Sequence, residues 1–191
     1  MIILQFLGWL TFSYILMSFI EHQVHSRLMH KRSIAMFEKT FKGHAINHHK
    51  HYSKIFTDEP VPKGEDTDIR MNVWKAPIKG IPYFLVISIF SWQCALVFVA
   101  VGTLHSWIWN QIHLEMHKPE GRPFSKWPIY KFLARYHWLH HRYQDKNFNV
   151  VFPFADYVLG TVAKPTAADL KLMEEQLEPQ KVPQLETANS K

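Results

Sequence analysis

Histidine is the residue type with the clearest chemical signature in this chain, since 13 of its 191 residues are histidines. Twelve of them fall in four short clusters, which read HQVHSRLMH, HAINHHKH, HLEMH and HWLHH and begin at positions 22, 44, 113 and 137. Within an α-helix, side chains three or four positions apart lie on one face, with Cβ atoms about 5–6 Å apart. The spacing therefore predicts convergent imidazoles at His44/His48, His113/His117 and His137/His140/His141.

Adjacent histidines predict more than one metal ion. Side chains of neighbouring helical residues such as His48 and His49 diverge by about 100° and can reach two different ions. His25 and His30, five positions apart, would lie off a common α-helical face, as at a fraying helix end. The predicted ligands of a two-metal centre are His25, His30, His44, His48, His49, His113, His117, His137, His140 and His141. His22, His51 and His105 are predicted to stand outside the centre.

The donor set limits the metal. The chain has one cysteine, Cys94, which excludes an intramolecular disulfide and a cysteine-based zinc or iron–sulfur site. Imidazole-rich sites without thiolate suit iron, zinc, copper or nickel. Ions held by neutral rings keep their positive charge, so polar side chains nearby are expected to orient the rings. The candidates are Glu21, Asn110, Glu115, Asp145, Asn147 and Asp156.

Two apolar blocks predict membrane insertion. Ile2 to Ile20 carries no charge and as a helix is about 28 Å long, close to the thickness of a bilayer's hydrocarbon core. No Lys or Arg precedes this block and Glu21-His22 follows it, which favours a retained span over a cleaved signal peptide. The second block runs from about Gly80 to His113.

The basic residues predict the orientation. All 22 Lys and Arg lie outside residues 1–26 and 80–117. The positive-inside rule then places the N-terminus outside, and the histidine clusters and C-terminus on the cytoplasmic face. The second block must then enter and leave on one side, as a hairpin over about residues 80–113 that turns near Ser91–Gln93 or at Gly102. The formal net charge of +6 follows from this topology, and no nucleic-acid-binding pattern accompanies it.

The predicted fold is thus an all-α integral membrane protein whose histidine-rich cytoplasmic cap carries a dimetal site. Residues 1–164 form the membrane domain, with a helix from about Pro128 to Arg142. Residues 165–191 form a polar tail whose last dozen residues are expected to be disordered.

The motifs resemble those of the membrane-bound fatty acid hydroxylase/sterol desaturase superfamily, whose histidine pattern is HxxxxH, HxxHH or HxxxHH, HxxxH and HxxHH. The corresponding histidines here are His25/His30, His44/His48/His49, His113/His117 and His137/His140/His141. The segment NFNVVFPFADYVLGT, Asn147 to Thr161, is similar to the family's NFG…D.LFGT ending. Asn149 stands where the family usually has Gly, a replacement that a position with positive φ would tolerate.

The resemblance implies a non-haem oxidoreductase with two iron ions, which zinc can replace in purified protein, and with O₂ as co-substrate. It implies a monooxygenase of lipid metabolism that hydroxylates or desaturates a C–H bond of a fatty acyl or sterol-like substrate. The histidines would act as metal ligands, with no further catalytic side chain. Electrons would come from a separate donor, either cytochrome b5-like or a ferredoxin with its reductase, because the chain has no flavin, haem or iron–sulfur motif.

Two alternatives stay open. Carotenoid ring hydroxylases share the histidine layout, although their C-terminal sequence is less like the one here. A histidine-rich metal-binding or transport membrane protein would also use such residues, but a transporter should place ionisable side chains along its spans. Here only His105 lies inside an apolar block. No Ser-His-Asp order, P-loop or Rossmann glycine pattern supports hydrolysis or nucleotide chemistry.

The charge pattern makes a prediction about topology. A reporter fused after Lys191 and another inserted near Lys63 should both report a cytoplasmic location, because both positions flank the uncharged second block on its basic sides. Glycosylation and protease-protection reporters measure this directly. Opposite locations would mean that residues 80–117 cross the membrane once, and the four histidine clusters could not then share one site.

Overall fold

The computed structural model describes residues 1–32, 35–59 and 70–177, and every regular element in these ranges is helical. The all-α prediction is therefore confirmed for this part of the chain. The last dozen residues, for which disorder is predicted, lie outside the described residues.

The apolar blocks form long helices. Helix α1 spans Ile2–Gln23 and continues as a π-helix over Val24–Met29. Helices α4, Ala76–Ser88, and α5, Trp92–His117, pack against each other as an antiparallel pair, and α1 packs against α5. Two helices, Ile2–Met29 and Trp92–His117, are long and apolar enough to cross a membrane.

The second apolar block is a compressed hairpin. Helix α4 has 13 residues and is about 20 Å long, shorter than a bilayer's hydrocarbon core. The turn lies between Ser88 and Trp92, where the Ser91 hydroxyl accepts a hydrogen bond from the Cys94 N–H at 3.2 Å and caps α5. Of the two predicted turn positions, the one near Ser91 is confirmed, and Gly102 lies within α5.

Short helices and one longer helix form a cap beyond the ends of α1 and α5. After a 3₁₀ turn at Ala35–Phe37, helix α2 spans Glu38–Phe41, a second π-helix spans Lys42–His48, and helix α3 spans His49–Tyr52. Further 3₁₀ turns lie at Val73–Lys75 and Pro123–Lys126. Helix α6 spans Pro128–Arg142, as predicted, and α7 and α8 span Phe154–Leu159 and Ala167–Leu177.

Two apolar clusters hold these layers together. Between the long helices, Ile87, Cys94, Ala95 and Phe98 are buried against apolar side chains of α1. In the cap, the core combines Trp109 and Met116 of α5 with Trp138 of α6 and Met173 of α8. The first part of the predicted polar tail is therefore a packed helix, and the Trp138 indole N–H donates to Gln176 Oε1 at 2.7 Å.

Candidate metal centre

The ten predicted ligands converge inside the cap as two groups of five histidines. Within each group, one ring nitrogen from every histidine lies within 4.8 Å of the others. The first group contains His25, His30, His44, His49 and His140, and the second contains His48, His113, His117, His137 and His141. All are buried except His30, which is half-buried. The groups can hold metal ions.

The π-helices explain how residues five apart reach one point. In a π-helix the backbone bond runs from i+5 to i, so residues with this spacing align. The His30 N–H donates to the His25 carbonyl at 3.1 Å, and the His49 N–H donates to that of His44. His25 and His30 therefore share the first group, as do His44 and His49. The helix therefore does not fray at His30, as the sequence predicted, but ends in a π-helical turn.

The α-helical spacing predicts the other pairs in part. His113 and His117 of α5 share the second group, as do His137 and His141 of α6. The neighbours His140 and His141 point into different groups, as predicted, and so do His48 and His49. The prediction that His44 and His48 converge is wrong, because the π-helix turns His44 toward His49. The prediction that His137, His140 and His141 all converge is also wrong for His140, which joins the first group while His137 and His141 join the second.

The distances between ring nitrogens match metal ligands at right angles. Ligands about 2.1 Å from one ion lie about 3.4 Å apart in a tetrahedron but about 3.0 Å apart at neighbouring octahedral positions. In the first group, Nε2–Nε2 distances are 2.8 Å for His25–His44, 3.2 Å for His44–His49 and 3.1 Å for His49–His140. In the second group, they are 3.1–3.2 Å for His48–His141, His141–His137 and His137–His117. These nitrogens are close enough for the five rings of a group to bind one ion.

Backbone carbonyls determine which ring nitrogen faces the group. Nδ1 of His117 lies 2.8 Å from the Phe56 carbonyl oxygen, and Nδ1 of His140 lies 2.7 Å from that of Lys146. Nδ1 of His25 contacts the Phe148 carbonyl in the same way. A carbonyl oxygen can only accept, so Nδ1 must carry the proton and Nε2 must present its lone pair.

These lone pairs have a bound cation as their natural partner. His140 Nε2 lies 3.0 Å from His30 Nε2 and 3.1 Å from His49 Nε2. A neutral ring whose only N–H is at Nδ1 cannot donate to either neighbour. Unless a neighbouring ring donates its own Nε2–H, these buried lone pairs face one another and repel, whereas a divalent ion binds the lone pairs of all the rings at once. The donor set therefore fits a divalent ion in each group.

Burial keeps the rings neutral and ready to coordinate. It lowers the pKa of His30 to about 4 and that of His49 to about 2, from an ordinary value of 6.5. Burial, followed by the charge of neighbouring histidines, also holds the pKa values of His44, His48, His137, His140 and His141 well below the ordinary value. Since metal ligation requires the neutral ring, the site is preorganised at neutral pH.

The two groups adjoin each other, and aromatic rings cover one side of the second group. His49 of the first group stacks on His141 of the second, with centroids 4.3 Å apart. Trp109 packs on His113 and Tyr52 on His117, each with centroids 4.1 Å apart. Phe56 is 1% exposed and lies 4.8 Å from the His117 ring. This packing excludes water from the side of the second group that faces the cap's core.

Two of the predicted supporting acids act through the 143–153 loop, which joins α6 to α7. Asp156 is fully buried and accepts hydrogen bonds from the N–H groups of Phe148 at 3.0 Å and Asn149 at 2.7 Å. Glu21 accepts from the Val150 N–H at 2.9 Å. Because the Phe148 carbonyl contacts His25, these carboxylates orient that ring through the backbone and not directly.

The ending Asn147 to Thr161 closes this loop. Gly160 adopts φ 69°, which turns the chain after α7 so that the Thr161 hydroxyl donates to Asp156 Oδ1 at 2.6 Å. Asn147 also has a positive φ, 54°. Asn149 does not have the positive φ that would explain its place at a usual glycine position. Its side-chain amide instead donates a hydrogen bond to the Ser18 carbonyl at 2.8 Å.

The other supporting candidates contact backbone or solvent. Asn147 bonds the Tyr136 carbonyl and the Ala163 N–H, and Asn110 bonds both backbone groups of Met71. Glu115 accepts from the N–H groups of residues 120–122 and from the Arg122 guanidinium at 2.5 Å. Asp145 is exposed. Within the described part of the chain, these hydrogen bonds reach none of the predicted ligands, so these four side chains do not orient the rings as predicted.

The three remaining histidines lie outside both groups. His51 is about half exposed and pairs with Asp58 at 3.0 Å. His22 joins the network around Asp156 through Thr161 Oγ1 at 3.0 Å, and His105 lies 3.3 Å from Glu21 Oε2. Sequence reasoning missed the ring contacts of Tyr52 and Phe56 and the three backbone carbonyls. Of these contacts, only that of Tyr52 could have been predicted, because Tyr52 follows His48 by four residues, a spacing that places two side chains on one helical face.

Comparison with known proteins identifies no relative: no protein-family model, curated protein or solved structure matches the chain.

The role of Asp156 gives a prediction with a matched control. Replacing Asp156 with Asn removes a buried charge that accepts from two backbone N–H groups and a hydroxyl, and it sets an NH₂ group against one of these donors. We expect a loss of about 2–4 kcal/mol in the free energy of unfolding, together with weaker metal binding. The same substitution at the exposed Asp145 should change stability by less than about 0.5 kcal/mol. Thermal unfolding and metal content of both purified variants measure this, and equal effects would contradict the assigned role.

Proposed function

We propose that the chain is a membrane-bound, oxygen-dependent oxidoreductase that uses two metal ions to hydroxylate or desaturate a C–H bond of a lipid. The observation that carries the proposal is the pair of adjoining five-histidine groups, buried where two long apolar helices meet the cap. The ordered histidine motifs, which resemble those of the fatty acid hydroxylase/sterol desaturase superfamily, support the same reaction. The substrate would be a fatty acyl or sterol-like molecule.

Iron is the proposed metal. Structural zinc usually takes four ligands, whereas each group here offers five imidazole nitrogens that would hold an ion. Iron held by such nitrogens would supply the O₂ chemistry that the proposed reaction needs. Zinc can occupy the same nitrogens, so overproduced protein can contain zinc in place of iron.

When bound, the two ions supply the activation of O₂ and the cleavage of the C–H bond. The residues of the chain fix the ring tautomers and exclude water. The carbonyls of Phe56, Lys146 and Phe148 hold three rings in the tautomer that exposes Nε2. The aromatic rings around the second group keep water away, which protects reactive species from side reactions. No side chain is assigned as an acid or base.

The apolar surface supports a lipid substrate and a membrane location. The N-terminal half of α1 exposes large apolar side chains, and α4 exposes Ile81, Leu85 and Val86. A soluble protein rarely leaves such a continuous apolar surface uncovered. In the proposed orientation the N-terminus is outside, and the metal centre and C-terminus face the cytoplasm.

The reaction also needs electrons and protons. Hydroxylation places one oxygen atom of O₂ in the product and the other in water, and this consumes two electrons and two protons. The described residues contain no redox cofactor motif, so we propose an external donor, either cytochrome b5-like or a ferredoxin with its reductase.

A metal-binding or transport role is the competing function. It uses the same ten histidines but requires no substrate oxidation. A carotenoid ring hydroxylase is the competing enzyme and differs only in substrate. Both alternatives are outcomes of the experiment that follows.

The experiment is product formation under labelled oxygen. The full chain, loaded with iron and reconstituted in lipid with a reductant and electron donor, is supplied with ¹⁸O₂. Mass spectrometry of extracted lipids should show a product heavier by one ¹⁸O atom, or lighter by two hydrogens if the reaction is desaturation. A labelled carotenoid, with no labelled acyl or sterol product, would favour the ring hydroxylase. Bound metal without any oxidised lipid would favour metal binding alone.

Two histidine variants separate ligands from bystanders in this assay. His141→Ala removes a nitrogen that no neighbouring side chain replaces. We expect at least about a hundredfold loss of product and reduced metal content, because losing even the outer partners of metal ligands costs about 10–100-fold. His51→Ala removes an exposed ring that touches neither group and should keep activity within about twofold of wild type. Equal inactivity of both variants at normal expression would contradict the ligand assignment.

A further inference from the structure

An apolar groove lies on the membrane side of the cap, apart from the metal centre. Its volume is about 310 Å³, and it runs between the end of α1 with its π-helix and the facing helix α4. Phe19, Val24 and Leu28 form one wall, and Tyr83 of α4 forms the other. None of the ten metal-centre histidines lines it. The groove is therefore a second candidate binding site.

A single cation marks one end of this groove. Arg27 lines it together with Gln23, and Arg27 is the first Lys or Arg of the chain. Its side chain is exposed, and in the described part of the chain no acidic side chain pairs with it. An unneutralised guanidinium beside apolar walls is complementary to an amphiphile with an anionic head.

The depth of Arg27 matches the head-group region of a bilayer. At 1.5 Å per residue, Arg27 lies about 37 Å along the helix from Ile2, beyond a hydrocarbon core of about 30 Å. Phe19 lies about 12 Å back toward the apolar end. The surface around Tyr83 is also apolar, because Ile81, Leu85 and Val86 of α4 are exposed. The groove thus opens onto the surface that would face lipid.

We propose that this groove binds one acyl chain of an anionic phospholipid, with the Arg27 guanidinium on the lipid phosphate. An anionic lipid is favoured over a zwitterionic one because the latter carries its own cation next to the phosphate. The proposal rests on the membrane location proposed above and is independent of the oxidation reaction. The bound lipid would hold α1 against α4 at the level where α1 passes into the π-helix that carries His25.

The test is lipid binding by the full chain in detergent, measured by native mass spectrometry. Phosphatidylglycerol, phosphatidylcholine and inorganic phosphate are titrated separately. Wild-type protein should bind phosphatidylglycerol about tenfold more tightly than phosphatidylcholine and should show no saturable binding of phosphate alone. Arg27→Gln should abolish that preference. Lys31→Gln is the matched control, because it removes the same charge from an exposed residue that does not line the groove.

A second variant tests the apolar walls. Leu28→Trp fills the groove and should weaken binding of both phospholipids about tenfold, while the metal content stays at the wild-type value. An unchanged preference for phosphatidylglycerol in Arg27→Gln would overturn the proposal. An equal loss of this preference in Lys31→Gln would also overturn it, because the lipid would then respond to the overall positive charge and not to a site at Arg27. Saturable binding of inorganic phosphate as tight as that of the lipid would also overturn it. Loss of the lipid site with oxidation intact would leave the proposed function standing.

Discussion

The arrangement depends on ten histidine rings gathered inside the cap, nine of them buried. Three of these rings, His25, His117 and His140, turn an Nε2 lone pair inward, and such buried lone pairs repel other lone pairs unless a proton or a cation lies between them. Two divalent cations would turn this repulsion into attraction. The apolar packing of the cap must hold the rings in place against that repulsion whenever metal is absent, so metal binding and folding of the cap should be coupled.

The backbone does most of this positioning. Two π-helices place residues five apart on one point, and three carbonyls set the tautomers of His25, His117 and His140. The carboxylates of Asp156 and Glu21 do not contact these rings. They accept hydrogen bonds from the backbone of the loop that carries the Phe148 carbonyl. This distribution keeps anionic side chains away from the donor nitrogens and leaves each group composed of imidazole alone.

Residue type and local spacing were enough to predict which ten histidines the structure gathers into two groups, because each histidine cluster lies within one or two helical turns. Helix α6 was equally predictable, since Pro128 starts it and basic residues end it. The partition of His44, His48 and His49 was not predictable, because it depends on a π-helical turn that α-helical periodicity does not indicate. The carbonyl contacts were missed for a different reason: every residue has a carbonyl, so sequence does not mark the ones that matter.

X-ray absorption spectroscopy of the iron-loaded full chain, combined with elemental analysis, tests the central claim most directly. The account predicts close to two ions per chain, each surrounded by five imidazole nitrogens at about 2.1 Å, with the outer-shell scattering of imidazole rings and at most one or two further light ligands. A single ion per chain, or two ions each with four or fewer imidazoles in a tetrahedral shell, would contradict it.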